Sequence, residues 1–388
     1  MMIPQEYDRI RPFEPEELPQ VYKRLIADEQ FRKVVGIIYP NVPFELLAQK
    51  MRCCKTNLEF QRAFPYFFLK ELLQKASDGC EMDVTAIDTK GRFTFVSNHR
   101  DIVLDSALLD VLLVDAGFDT TCEIAIGDNL LSLPWVKDLV RVNKSFIVER
   151  SLPPMEMMRA SKRMAEYMHF VVEEKNDNIW IAQREGRAKD CNDQTQPAIL
   201  KMMAMGGTGS VVERLCQLHI VPLTISYEYD PCDFLKAQEY QLKRDNPAWK
   251  KSAQDDVESM RTGIMGYKGR IHYHCAPCID GWLEKMDAQM PRNKQFDAIA
   301  AHIDQEIHRN YRLYPCNYIA ADSLQNTRQR QAHYASEDEQ RFAQYIERQL
   351  GRINIPDKDD DFLRERLLTM YANPCFNYEQ AHSSATPR

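Results

Sequence analysis

The stretch FTFVSNHRDIVLDS (residues 93–106) decides how this chain folds. Phe93 to Ser97 are rich in β-branched and aromatic side chains and predict a short strand. After a polar junction, a run from about Ile102 to Asp115 carries the apolar content of a helix. The same alternation extends in both directions. Upstream lies MDVTAID (82–88). Downstream come CEIAIG (122–127), a helix near 131–140, SFIVE (145–149), a long helix near 154–175, IWIAQ (179–183), a helix near 197–205 and HIVPLTISYEY (219–229). Strands alternating with helices predict an α/β fold with a mixed, largely parallel sheet flanked by helices. Pro222 inside the last run predicts an edge or bulged strand there, because proline cannot donate to a ladder.

The flanking regions have a different texture. Residues 1–80 carry apolar positions at helical spacing over 19–35, 44–55 and 60–75, and predict an N-terminal helical region. Residues 81–320 hold the α/β domain, including one further strand at RIHYHC (270–275) and a helix at 296–311. Residues 321–388 predict a C-terminal helical extension, with helices at 336–352 and 359–371 and a disordered tail, HSSATPR (382–388).

Composition narrows the function. A net charge of -7 argues against general nucleic-acid binding. No apolar run reaches the roughly 18 residues that span a bilayer; the longest, 102–117, is interrupted by Asp105, Asp110 and Asp115. The N-terminus is charged and lacks the apolar segment of a secretory signal. The 11 cysteines are scattered and read as reduced thiols of a cytoplasmic protein. HYHCAPC (272–278) contains one Cys-x-x-Cys with two histidines beside it, a candidate zinc half-site or redox pair; a structural zinc site needs a second ligand pair, which the sequence does not place.

In α/β sheets, chemistry gathers where strands end and helices begin. At the first junction, His99 follows the strand, with Asp101 and Asp105 beyond it. A histidine can take a hydroxyl proton near neutral pH, and a carboxylate can fix its tautomer. The competing reading is a locally bonded His99 and an Asp101 that caps the helix. At the second junction, Arg150 could grip a phosphate through its planar fork. The third brings Arg184, Glu185, Gly186, Arg187 and Lys189, a set suited to a phosphorylated, hydroxylated substrate, with Gly186 allowing close backbone approach. Solvated surface charge is the competing reading for both.

In order and content these blocks resemble the glycerol-phosphate and lysophosphatidate acyltransferase superfamily, across roughly residues 85–230. The matching residues are Asn98-His99…Asp105, Phe146-Ile147-Val148-Glu149-Arg150, Glu185-Gly186-Arg187 and Val221-Pro222. The ISYEY continuation is closer to the glycerol-phosphate branch. Three departures stand out. Five residues rather than four separate His99 from Asp105, so either the turn adjusts or Asp101 replaces Asp105. Glu149 is an extra acid before Arg150. Arg187 follows Gly186 directly, without the usual intervening residue.

The resemblance implies an O-acyltransferase of phospholipid biosynthesis that forms no acyl-enzyme. His99, oriented by a carboxylate, would deprotonate the acceptor hydroxyl, and the alkoxide would attack the thioester of acyl carrier protein or coenzyme A. Arg150, Glu185, Gly186 and Arg187 would bind the acceptor, glycerol-3-phosphate or lysophosphatidate. No metal or other cofactor is implied. Alternatives are an O-acyltransferase for an amino-acid lipid or another lysolipid, and a catalytically altered lipid-binding relative. An insoluble product and no spanning segment together predict peripheral docking on the cytoplasmic face of the membrane, with the aromatic run Phe64–Leu73 and its flanking lysines as the contact. The competing reading is that those aromatics pack the N-terminal helices onto the α/β domain.

Overall fold

The computed structural model describes residues 3–131, 133–150 and 152–383. Five helices come first: α1 (Leu18–Ala27), α2 (Glu29–Ile38), α3 (Phe44–Cys53), α4 (Asn57–Ala63) and α5 (Pro65–Ala76). The sheet region follows as β1 (Cys80–Asp83), β2 (Thr94–Ser97), α6 (Leu104–Asp115), β3 (Cys122–Gly127), α7 (Pro134–Val142), β4 (Ser145–Val148), α8 (Pro154–Glu173) and β5 (Asn178–Ala182). It continues through α9 (Pro197–Met203), α10 (Val211–Cys216), β6 (Ile220–Tyr227), α11 (Asp233–Asp245), α12 (Ala253–Met265) and β7 (Ile271–Cys275). The chain closes with α13 (Asp280–Leu283), α14 (Arg292–Arg309), α15 (Pro315–Gln325), α16 (Ser336–Arg352) and α17 (Asp360–Ser383).

The seven strands form one sheet in the order β1-β7-β6-β2-β5-β3-β4. β6, β2, β5, β3 and β4 are mutually parallel; β7 runs antiparallel to β6 and carries β1 with it. This is the mixed, largely parallel sheet the alternation predicts. Apolar clusters cover both faces. One gathers α8, α9 and α14 around Phe146, Tyr167 and Ile179; the other gathers α5 and α6 around Phe95, Leu108 and Tyr273. α6 is buried almost all round, and each aspartate that interrupts its apolar run has a partner. Asp105 accepts at the His99 turn, Asp110 accepts from Cys122 N at 2.9 Å, and Asp115 accepts from Tyr66 and Lys70, both at 2.6 Å.

Two expectations need correction. β6 is neither an edge nor a bulged strand: all eight of its residues are buried between β2 and β7. Pro222 is tolerated because the β7 ladder stops one residue short of it, at Leu223↔Cys275, so no N–H is required there; its carbonyl still accepts from Ala276 N at 2.9 Å. The last helix runs to Ser383, past the expected end at 371 and through Pro374. His382 and Ser383 of the expected tail are therefore helical, and 384–388 lie outside the described residues. The boundary expected at 320 falls within α15, which packs with α11, α16 and α17 in a separate apolar cluster containing Phe234, Ile319, Phe342 and Leu367.

Candidate active site

β2 sits mid-sheet. The chain leaves it for β3, which lies beyond its neighbour β5, and returns to its other side only with β6. The crevice beyond the carboxyl end of such a strand is where α/β sheets place ligands. Asn98 continues the ladder with its side chain. Its amide donates to Ile225 O at 2.9 Å, and its Oδ1 accepts from Ile225 N at 2.8 Å. The next residue, His99, is thereby fixed at the mouth of the sheet.

His99 Nδ1 lies 2.8 Å from Asp105 Oδ2, with the imidazole 14% exposed and the carboxylate fully buried. The same oxygen accepts from Arg100 N at 2.6 Å and Asp101 N at 3.0 Å. Asp105 stands in the first turn of α6, where the helix dipole favours a carboxylate. The extra residue between His99 and Asp105 is taken up by the non-helical turn 100–103, so the two side chains still meet. His99 also packs edge-on against Trp180, with ring centroids 5.7 Å apart, and Trp180 Nε1 donates to Ser97 Oγ at 3.0 Å. Among the described residues Nε2 makes no hydrogen bond.

Asp101, the alternative partner, is engaged elsewhere. Its Oδ1 accepts from Val103 N at 2.9 Å and Leu104 N at 2.8 Å, so it caps the turn that leads into α6, two residues ahead of Val103 at the N-cap position. Burial and then the neighbouring Asp105 charge raise its pKa, while those backbone donors oppose the rise. Its other oxygen faces α12 so closely that a Cβ on Gly263 would lie 1.8 Å from it. Gly263→Ala must therefore push α12 or the capped turn aside. The expected loss is about 1–3 kcal/mol, the usual scale of overpacking, and thermal unfolding checks it.

The turn is anchored from behind by buried charges that no motif indicates. Arg100 meets Asp193 through two nitrogens, at 2.6 and 3.2 Å. Burial opposes the Arg100 charge, but Asp193, with Cys191, Tyr311 and Asp230 behind it, overcomes that opposition and raises the pKa well above its ordinary value. Asp193 also accepts from Tyr311 OH at 2.5 Å and Asn98 Nδ2 at 3.2 Å. Lys236 pairs with Asp230 and donates to Arg100 O at 3.2 Å.

The remaining predicted residues divide. Arg150 and Glu185 come together at 3.4 Å on the rim, with side chains 36% and 73% exposed. Arg150 N donates to Asp128 at 3.2 Å. A Cβ on Gly127, at the end of β3, would lie 2.9 Å from Arg150 Nε, so that glycine makes room for the guanidinium. Glu149, the extra acid, pairs with Arg163 of α8. Gly186 has a φ of +68°, as a tight turn after β5 requires. Arg187 does not join Arg150. It lines a cavity with Cys232, Lys236, Trp249 and Lys251 of the α11–α12 region, and its charge acts on Asp101.

Residues 81–226 match the family model described as Acyltransferase, an interval that contains all four motif blocks. Within that interval, from β1 to β6, the chain is similar to acyltransferases. A search of curated proteins found no match. Among solved structures the chain is similar to the 1-acyl-sn-glycerophosphate (LPA) acyltransferase PlsC from Thermotoga maritima, at 12% identity and a TM-score of 0.37, over 75% of this chain and 95% of that one.

Proposed function

We propose that the chain transfers a fatty acyl group from an acyl carrier protein or coenzyme A thioester to a hydroxyl of glycerol-3-phosphate or lysophosphatidate. The observation that carries this reading is the His99–Asp105 pair at the carboxyl end of β2, with Nε2 left free to take a proton. In the proposed reaction Nε2 removes the acceptor hydroxyl proton as the oxygen attacks the thioester carbonyl. Asp105 stabilises the imidazolium that forms. Collapse of the tetrahedral intermediate breaks the C–S bond, and the imidazolium returns the proton to the leaving thiolate. Thiol release from both carriers, measured over a panel of glycerophosphate, lysolipid and acyl-amino-acid acceptors, tests the reading. Thioester turnover that no acceptor stimulates would refute it.

Arg150 is the proposed acceptor anchor. An exposed ion pair such as Arg150–Glu185 is worth at most about 1 kcal/mol, so a phosphate can displace Glu185 from it at little cost, freeing the carboxylate for an acceptor hydroxyl. Arg150→Ala is expected to raise the acceptor KM about 10–100-fold, the worth of a hydrogen bond to a charged group, and to leave the donor KM unchanged. Steady-state kinetics in both substrates checks this. Arg187 is proposed to act on the same acceptor from the α11–α12 side, through the turn that holds Asp101.

Peripheral docking on a membrane surface is also proposed. No helix among the described residues is long and apolar enough to cross a membrane. Most of the aromatic run packs inward: Leu69 and Leu72 are buried, and Tyr66, Phe68 and Leu73 lie against the core beneath the sheet. Phe67 is 60% exposed, and Lys50 Nζ sits 5.4 Å from its ring centre. Exposed Ile37, Val42 and Leu46 on and between α2 and α3 extend the apolar surface. Tyr39 OH, which donates to Phe64 O at 3.2 Å, ties the end of α2 to this region. Wild-type protein is expected to co-sediment with anionic vesicles, and Ile37→Ser/Phe67→Ser to lose at least half of that binding with its fold intact. Wild-type protein that stays in the supernatant would refute the docking.

A further inference from the structure

The two cysteines of the Cys275-x-x-Cys278 stretch differ in burial. Cys275 ends β7 and is fully buried in the core, whereas Cys278 is only partly buried. The companions of Cys278 come from another part of the chain. His219 stands immediately before β6, and Asp280 opens α13. One donor atom from each of His219, Cys278 and Asp280 falls within 4.8 Å of the other two. His219 Nδ1 is 2.6 Å from Asp280 Oδ2, and Asp280 Oδ1 is shielded from solvent without a hydrogen-bond partner. Imidazole, thiol and carboxylate donors from two separate segments thus converge at one place.

We propose that His219, Cys278 and Asp280, with solvent completing the shell, bind a zinc ion that ties the start of β6 to the start of α13. Thiolate, imidazole and carboxylate donors in tetrahedral arrangement are a zinc ligand set. Zinc bonds of about 2.0–2.3 Å place donors roughly 3.3–3.8 Å apart, so small side-chain rotations close the cluster. The bound Cys278 thiol releases its proton to solvent. The site lies at the opposite end of the sheet from His99, because His219 precedes β6 while His99 follows the parallel β2. The ion is therefore structural and takes no part in acyl transfer.

Cobalt titration of the purified, reduced, chelator-treated protein tests the site. One equivalent of Co²⁺ is expected to give a thiolate-to-metal charge-transfer band that Zn²⁺ abolishes, and Zn²⁺ is expected to raise the thermal midpoint. Cys278→Ser and His219→Gln should each weaken binding at least 10-fold and lose the thermal response. Native far-UV circular dichroism in each variant separates loss of ligation from misfolding. With 11 cysteines in the chain, a band that survives Cys278→Ser undiminished would place the metal elsewhere and overturn the proposal. So would a wild type that gives no band.

Discussion

Replacing His99 with alanine is expected to lower acyl transfer by about 10³–10⁴-fold while the protein stays folded, the scale of losing a positioned general base. Asp105→Asn is expected to lose about 10²–10⁴-fold. The amide can still accept one hydrogen bond from the turn, but it cannot stabilise an imidazolium. Asp101→Asn is the discriminating control. Asparagine caps a helix as well as aspartate does, so both backbone donors, Val103 N and Leu104 N, keep an acceptor. Its activity should stay within about 10-fold of wild type, since a lost cap is worth only about 1 kcal/mol. Initial rates of thiol release, with circular dichroism on each variant, decide the matter. Equal losses in Asp101→Asn and Asp105→Asn would mean that the turn as a whole, and not the Asp105 carboxylate, sets the activity.

That contrast also shows what the sequence could and could not say about the site. The polar junctions at strand ends, read locally, picked out His99, Arg150 and Glu185, and the strand–helix alternation was enough to predict a mixed, largely parallel sheet. The choice between Asp101 and Asp105 was not legible. It depends on how residues 100–103 leave the strand, and four non-helical residues carry no periodicity to read. Asn98 was noticed as part of a motif, but its bonding to Ile225 across 127 positions is a property of the strand order. Asp193, Tyr311 and the Asp230–Lys236 pair come from three different segments and meet behind His99 only in the folded protein, so none carries a local signal of that role. Pro222 misled for a related reason. The rule that keeps proline at sheet edges concerns the missing donor, and only the register shows that β7 ends before a donor is needed. The second set of ligands that the Cys-x-x-Cys stretch lacked was equally illegible, since His219 lies 59 positions from Cys278 and meets it only in the folded protein.

The buried anchor behind His99 gives the largest expected effect on stability. Arg100 is 5% exposed and Asp193 fully buried. Asp193→Ala would leave a guanidinium out of water without its counter-ion, and breaking a buried pair from one side costs about 3–5 kcal/mol. With an unfolding entropy of about 2.1 cal/mol/K per residue, that loss corresponds to a fall of roughly 4–6 °C in the thermal midpoint of a chain this long. The folded fraction should also lose activity, because Asp193 holds Asn98 and Arg100, the residues on either side of His99. The double variant Arg100→Met/Asp193→Leu separates the two consequences. Apolar replacement of a whole buried pair is often neutral or stabilising, so the midpoint should recover most of its loss. Activity should not recover with it, because the double variant cannot restore the bond to Asn98 Nδ2. Differential scanning calorimetry alongside thiol-release kinetics reads both quantities. Activity that returns in step with stability would show that Asp193 contributes only to folding and does not position the catalytic turn.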